Sequence, residues 1–147
     1  ENMHSCSSET ATDILIKEFQ KIYDSSHKGK YLIVSTGEIQ VKVNKKIKSA
    51  KGGRNQHLVA LFMKKFIPDF DFNFIAVGTD GMDYLEGVHG AFYDSSMSKK
   101  IQQNRNYIQS KINTSNTYEV HKRFGTLIEG SKTGTNMSDF FLFSFVK

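Results

Sequence analysis

The chain has 147 residues, of which 38% are hydrophobic and 12% aromatic, and its net charge is +5. This composition excludes a disordered chain, and a domain of this length buries roughly 70% of its unfolded surface. No apolar stretch approaches the ~20 residues that span a bilayer, and the single cysteine excludes an internal disulfide. The polar start has no apolar signal segment, so we expect a cytoplasmic protein without a membrane partner.

Hydrophobic periodicity predicts helices and strands in alternation. In chain order these are a flexible lead-in over 1–10, a helix over 11–23 capped by Thr10, strands over 31–35 and 38–43 joined by a turn, a helix over 55–66 ended by Pro68, a strand over 72–77, a loop over 82–94, a polar helix over 96–112, a short helix over 116–124, a strand over 126–129, a loop over 130–138 and a closing strand over 140–146. Because the first two strands are predicted to form a hairpin, we expect one α/β domain over 11–147. Its predicted architecture is a three-layer α/β/α sandwich with a mixed sheet.

The positive charge is concentrated in one stretch, since six cations and no acid lie between Lys42 and Arg54. Such a field attracts nucleic acid, nucleotide phosphates or phosphorylated metabolites. The alternative is a solvated hairpin edge, on which lysines discourage pairing with other strands. The aromatic residues follow strand and helix periodicity and therefore indicate a core, so we do not expect a nucleic-acid partner.

Gly52, Gly53 and Arg54 precede the second predicted helix, which begins with Asn55 and Gln56. Glycines allow the backbone to approach a ligand closely, and the free N–H groups at a helix N-terminus favour an anion. An arginine there can hold a phosphate or carboxylate through two parallel hydrogen bonds. The pattern is equally typical of a glycine loop with a surface arginine.

Two carboxylates, Asp80 and Asp83, follow the strand predicted over 72–77. Open α/β sheets bind ligands at the carboxyl ends of their strands. These carboxylates could hold a hydrated Mg²⁺, orient an arginine or a substrate hydroxyl, or stabilise turns.

A second polar loop contains Thr133, Gly134, Thr135 and Asn136, which is typical of phosphate contact and also of a tight turn. No Walker-type loop and no dinucleotide-binding glycine motif occurs. The five histidines show no metal-ligand spacing, so no metal ligand is assigned.

Taken in order, these loops resemble the MOFRL domain, the C-terminal domain of the glycerate kinase / hydroxypyruvate reductase (TtuD-like) family. The resemblance covers about 31–147 and is based on the GGRNQ sequence from Gly52, the TDGMD sequence from Thr79 and the TGTN sequence from Thr133. The chain departs from the usual pattern at several positions. Tyr84 replaces a common glycine, and Lys132 precedes the TGTN sequence.

The resemblance implies an enzyme that phosphorylates D-glycerate with ATP and Mg²⁺ to give 2-phosphoglycerate. It implies an active site in a cleft shared with an N-terminal Rossmann-like domain, and a homodimer is left open. By match, Arg54 would be the catalytic arginine. The other implied site residues are Gly52, Gly53, Asn55, Gln56, Thr133, Gly134, Thr135 and Asn136 for substrate or phosphate, with Asp80, Asp83 and Glu38 as acidic or magnesium-associated groups.

Two alternatives remain open at this stage. One is the hydroxypyruvate reductase activity that gives the family part of its name. The other is a stand-alone domain that binds an anion or nucleotide without catalysis. The isolated fragment is expected to be inactive as a kinase, because half of the implied cleft would lie in the other domain.

Overall fold

A computed structural model describes residues 6–41 and 50–147, and this part of the chain forms five α-helices and seven strands. In chain order they are α1 (Ser8–Ser25), β1 (Lys30–Gly37), α2 (Arg54–Lys65), β2 (Phe72–Gly78), β3 (Met82–Asp83), β4 (Leu85–Glu86), β5 (Val88–Asp94), α3 (Ser98–Gln103), α4 (Arg105–Asn113), α5 (Thr117–Phe124), β6 (Leu127–Glu129) and β7 (Asp139–Val146). A 3₁₀ turn over Ser95–Met97 precedes α3.

Five strands form the main sheet in the order β1-β7-β2-β5-β6, and β3 pairs with β4 in a separate hairpin. The predicted α/β class is confirmed. The predicted mixed sheet is wrong, because every pairing in the sheet is antiparallel. The closing strand β7 inserts between β1 and β2, and this long-range pairing has no local sequence signal.

The core lies on one face of the sheet. Alternate residues of β2 and β7, such as Phe74 and Phe143, are fully buried against α1 and α2. Phe143 stacks on Phe19 of α1 with the ring centroids 4.2 Å apart. Buried residues of all five described helices belong to this single cluster. The described residues therefore form a helical layer and a sheet, and a third layer is not among them.

The predicted hairpin between 31–35 and 38–43 is wrong. β1 extends to Gly37 and pairs with β7, and Gln40 makes only an isolated bridge to Ser7. The end of the predicted second strand, and most of the basic stretch from Lys42, lie outside the described residues.

The predicted loop over 82–94 is also wrong, because it contains the β3–β4 hairpin and β5. Its two glycines suggested a loop, but Gly90 lies within β5, where a Cβ atom would stand 2.0 Å from the carbonyl oxygen of Ala76. The polar helix predicted over 96–112 is two helices, since Asn104 is both the C-cap of α3 and the N-cap of α4.

The first and last predicted elements agree well with the structure. The helix predicted over 11–23 is α1, although its N-cap is Ser7, which accepts a hydrogen bond from the backbone N–H of Thr10. The predicted lead-in over 1–10 overlaps the start of this helix. Among the described residues, none of the helices combines the length and the apolar composition that crossing a membrane requires.

Candidate active site

Arg54 begins α2, and two carboxylates hold its guanidinium. Its Nε and Nη2 donate to the two carboxylate oxygens of Asp139, at 2.5 and 3.1 Å. Its Nη1 donates to Oε1 of Glu38 at 2.6 Å. Asp139 is 1% exposed at the start of β7, whereas Glu38 follows β1 and its side chain is 61% exposed. The buried Asp139 therefore fixes the orientation of the Arg54 guanidinium, and the second partner, Glu38, remains accessible to solvent.

Arg54 remains positively charged between its two carboxylate partners. Burial disfavours the charged form, but the hydrogen bonds and charges of Asp139 and Glu38 outweigh it and raise the pKa of Arg54. Burial raises the pKa of Asp139, and the contact with Arg54 opposes that shift. A guanidinium has five N–H donors, and three of them donate to described residues. Within this part of the chain, two donors thus remain for an anionic ligand.

Asp83 caps the start of α2 from a distant part of the chain. Its Oδ1 accepts from the backbone N–H of Asn55 at 3.0 Å, and its Oδ2 accepts from that of Gln56 at 2.8 Å. The Gln56 side chain also donates to the Asp83 carbonyl oxygen at 3.0 Å. Burial raises the pKa of Asp83, and these hydrogen bonds oppose that rise. The helix N-terminus expected to bind an anion is therefore already occupied by a carboxylate.

The glycine pair before Arg54 is explained by close packing. A Cβ atom on Gly53 would stand 2.1 Å from Oδ1 of Asp83. Gly52 has a φ of +130°, and a Cβ atom there would stand 2.6 Å from Oγ1 of Thr117 in α5. No side chain fits at either position, so both glycines are required whether or not a ligand binds.

Asp80 lies in the turn after β2. Its Oδ1 accepts from the backbone N–H of Met82 at 3.0 Å. The same oxygen and Oδ1 of Asp139 lie 3.0 and 3.5 Å from the position that a Cβ atom of Gly78 would take. The turn therefore brings Asp80 close to the carboxylate that holds Arg54.

The loop from Thr133 to Asn136 is tied to the same turn but is exposed. The Thr133 hydroxyl donates to the Thr79 carbonyl oxygen, and the Thr133 backbone N–H donates to that of Asp80 at 3.3 Å. The Thr79 hydroxyl donates to the carbonyl oxygen of Ser138 at 2.8 Å. These contacts place the loop beside Asp80 and outside the cavity described next.

A cavity of about 610 Å³ opens beside Arg54. It is lined by Ile39, Gln40, Val41, Gly52, Gly53, Arg54, His57, Asp80, Met82, Asp83, Tyr84 and Ser115. Five of the predicted site residues line it, namely Gly52, Gly53, Arg54, Asp80 and Asp83. Asn55 and Gln56 are buried and do not line the cavity. Glu38 does not line it either, but it accepts a hydrogen bond from Arg54, which does. Residues 133–136 are not among the lining residues.

The sequence reasoning missed His121, which is fully buried and supports the start of α2. Its Nε2 lies 2.7 Å from the carbonyl oxygen of Gln56, and its Nδ1 lies 2.8 Å from the hydroxyl of Thr126. Burial lowers the pKa of His121 to about 4. The ring is therefore neutral, with Nε2 donating to the carbonyl and Nδ1 accepting from the hydroxyl. Nothing in its sequence spacing distinguishes this histidine.

The described residues offer few ligands for a metal cation. Within 6–41 and 50–147, no three His, Cys, Asp or Glu side chains converge to hold a metal ion. Two buried acceptors in the same region, Oδ1 of Asn55 and Oε1 of Gln56, have no hydrogen-bond partner among the described residues. The predicted magnesium role of Asp83 stays a prediction, and both its oxygens are engaged by α2.

The ordered loops around Arg54 match a known domain family. The model of the MOFRL family matches residues 31–139. The chain belongs to the MOFRL family. Arg54 and both of its carboxylate partners, Glu38 and Asp139, lie within the matched range.

Two curated relatives are both named glycerate 2-kinase. This MOFRL chain is 31% identical over 107 residues to a glycerate 2-kinase of Pyrococcus horikoshii, a match of 73% of this chain and 24% of that protein. It is 33% identical over 127 residues to a glycerate 2-kinase of Picrophilus torridus, a match of 86% of this chain and 28% of that protein. The chain therefore spans about a quarter of the length of these relatives.

Solved structures share the fold of this MOFRL domain. A crystal structure of a Pyrococcus horikoshii protein superposes with a TM-score of 0.81 at 24% identity, over 99% of this chain and 33% of that one. A glycerate kinase from Thermotoga maritima superposes with a TM-score of 0.77 at 21% identity, over 100% of this chain and 36% of that one. At these identities the likeness establishes the fold alone.

Proposed function

We propose that this MOFRL domain forms one side of the active site of a glycerate 2-kinase, which phosphorylates D-glycerate with ATP to give 2-phosphoglycerate. The observation that carries the proposal is the geometry of Arg54. Its guanidinium is fixed by Asp139 at the edge of a cavity, and two of its donors have no partner within 6–41 and 50–147. The kinase names of the two curated relatives support the same activity.

Arg54 is suited to phosphoryl transfer, which depends on positioning and charge stabilisation more than on covalent chemistry. The bidentate contact with Asp139 orients the guanidinium, and Glu38 holds its outer edge. Glu38 is exposed, so an anionic ligand can compete with it for Nη1. In this proposal Arg54 binds the carboxylate of glycerate or the phosphoryl group in transfer.

Asp80 fits the coordination that Mg²⁺ prefers. One of its carboxylate oxygens accepts from Met82, and the other has no hydrogen-bond partner among the described residues. Mg²⁺ in kinases is usually held by one or two carboxylates together with substrate phosphates and water. ATP with Mg²⁺ would supply the phosphoryl group, and Asp80 with Thr133 to Asn136 would face its phosphates.

The rest of the active site would come from a second, N-terminal Rossmann-like domain. The relatives are three to four times as long as the matched region, which supports a further domain. In this proposal the 147-residue chain alone folds but does not turn over glycerate. A homodimer is compatible with the proposal and is not required by it.

The decisive experiment replaces Arg54 in the complete encoded protein. We expect Arg54→Ala to lower kcat/KM for D-glycerate at least 100-fold, because a preorganised donor to developing charge is worth about 10²–10³ in rate. Arg54→Lys keeps the charge but loses the bidentate contact, and we expect it to recover only part of the activity. Coupled assay of ADP release measures both.

Arg105→Ala is the matched control. Arg105 is exposed and donates to the backbone carbonyl of Lys64, away from the cavity. We expect normal turnover from this variant. Normal turnover from a folded Arg54→Ala protein would disprove the role of Arg54. Ligand binding without turnover by the unaltered complete protein would favour a binding domain without catalysis.

A further inference from the structure

The β3–β4 hairpin presents different residues to its two sides. Met82 pairs with Glu86 and Asp83 pairs with Leu85, so Tyr84 alone forms the tip. Asp83 is 2% exposed and accepts hydrogen bonds from the start of α2, whereas Met82 and Tyr84 are exposed. Both line the cavity beside Arg54.

The backbone at Tyr84 is strained. Its φ is +70°, a region in which bulky residues are rarely found. The hydrogen bonds of Asp83 to Asn55 and Gln56 hold the hairpin in place despite this strain. Among the described residues, the other non-glycine positions with positive φ are Ser115, which lines the cavity, and Ser138, next to Asp139. Strain of this kind clusters at functional sites.

The two outward side chains are apolar and exposed. Tyr84 is 70% exposed and Met82 is 36% exposed. No hydrogen bond, ion pair or ring contact to a described residue holds the Tyr84 side chain. The described part of the fold therefore gains little from this ring, although its position strains the backbone. A contact with a ligand is the physical reason that the site offers for a tyrosine here.

We propose that Met82 and Tyr84 form a platform on which the base of a nucleotide phosphate donor stacks, with its phosphates directed toward Arg54. This inference rests on the proposed kinase function. Glycerate is a small polar acid without a planar or apolar group to cover these side chains. A purine base has a planar face that stacks on tyrosine, and the cavity volume of about 610 Å³ suits a ligand larger than glycerate.

The test compares three substitutions at one position in the complete encoded protein. Tyr84→Ala removes the ring and keeps the strained backbone, and we expect ATP to bind about tenfold more weakly, as loss of one base-stacking contact predicts. Tyr84→Phe keeps the ring, and we expect near-normal affinity. Tyr84→Gly removes both ring and strain, so it should bind ATP as weakly as Tyr84→Ala while melting about 2–4 °C higher.

Inorganic tripolyphosphate serves as the probe without a base, and calorimetric titration measures both ligands. We expect its affinity to be unchanged by every Tyr84 substitution and to fall with Arg54→Ala. Arg105→Ala, at an exposed position away from the cavity, is again the control and should change neither affinity.

Each other outcome overturns the platform. Unchanged ATP affinity in Tyr84→Ala, with weaker binding in Arg54→Ala, removes the platform and leaves the proposed function intact. Equal weakening of ATP and tripolyphosphate in Tyr84→Ala shows that the ring contacts phosphate and not the base. If the unaltered protein binds neither ligand, both proposals fail.

Discussion

The two faces of the main sheet have similar composition and opposite environments. On the inner face, Phe72, Phe74 and Phe143 are at most 1% exposed beneath the helices. On the outer face, β1 of the same sheet carries Leu32 and Val34, which are 65% and 57% exposed. One apolar row crosses four strands of the outer face, in the register Val34, Leu142, Ile75 and Phe92.

The inner face stabilises the isolated domain, whereas the apolar residues of the outer face are available for a contact outside the described residues. Strands buried on both faces are hydrophobic almost continuously, whereas strands with one wet face alternate with polar residues. β7 reads Phe140 to Phe143 without a polar residue, as in the first case. Its outer face nevertheless has no covering layer among the described residues. The inner face should therefore dominate stability, and three predictions examine that asymmetry.

The largest effect is expected from Phe143→Ala. Phe143 is fully buried and its ring lies near those of Phe19, Phe62 and Phe72. Its truncation should lower the free energy of unfolding by about 4 kcal/mol, from lost burial and a residual cavity. Leu142→Ala, one residue away on the outer face, should cost only about 1 kcal/mol. Equal losses in urea unfolding would break the comparison.

The second largest effect is a loss of stability at acidic pH, which is caused by histidines buried in the helical layer. Burial lowers the pKa of His121 to about 4 and also lowers that of His57. As the pH falls, these histidines bind protons in the unfolded chain at a higher pH than in the folded protein. The free energy of unfolding should therefore fall as the pH drops from about 6.5 toward 4. His121 alone should account for up to about 3 kcal/mol. The raised pKa values of Asp83 and Asp139 act in the opposite direction at the acid end.

The measurement is urea unfolding at a series of pH values between 4 and 8. His121→Gln removes the titrating group, and its stability should depend less steeply on pH over this range, although the variant is less stable overall. An unchanged pH slope in this variant would assign the acid sensitivity to other groups.

The smallest effect is expected from Val34→Lys on the outer face. Val34 is 57% exposed, and surface substitutions usually change the free energy of unfolding by no more than about 0.5 kcal/mol. We expect that range for this chain. In a complete protein whose other parts cover the face, the same substitution should cost several times more because it would bury a charge. Thermal unfolding of both forms sharpens the comparison.

Local patterns predicted most helices well and the sheet poorly. The apolar periodicity of α1 and α2 and the glycine after α5 are local signals, and the helices lie close to the expected ranges. The β3–β4 hairpin and β5 were predicted as a loop because Gly87 and Gly90 interrupt them. Gly90 serves close strand packing instead, and that requirement depends on Ala76, fourteen positions earlier in the chain.

The candidate site shows the same division. The motif order pointed to Arg54, Asp80 and the glycine pair, and the structure places them around one cavity. The sequence motifs could not show that Asp83 caps α2 or that Asp139 and Glu38 compensate the charge of Arg54. They also could not show that His121 contacts the carbonyl oxygen of Gln56. Each of these contacts joins residues between 16 and 85 positions apart or relies on a buried, uncharged state.

By itself, the sequence determined the class of fold, the approximate positions of most helices and the family, because periodicity and short motifs are properties of neighbouring residues. Tertiary structure alone decided the strand order, the bare outer face and the partners of Arg54. Strand pairing and charge compensation are set by which distant segments exclude water together, and that selection is made only when the whole chain packs.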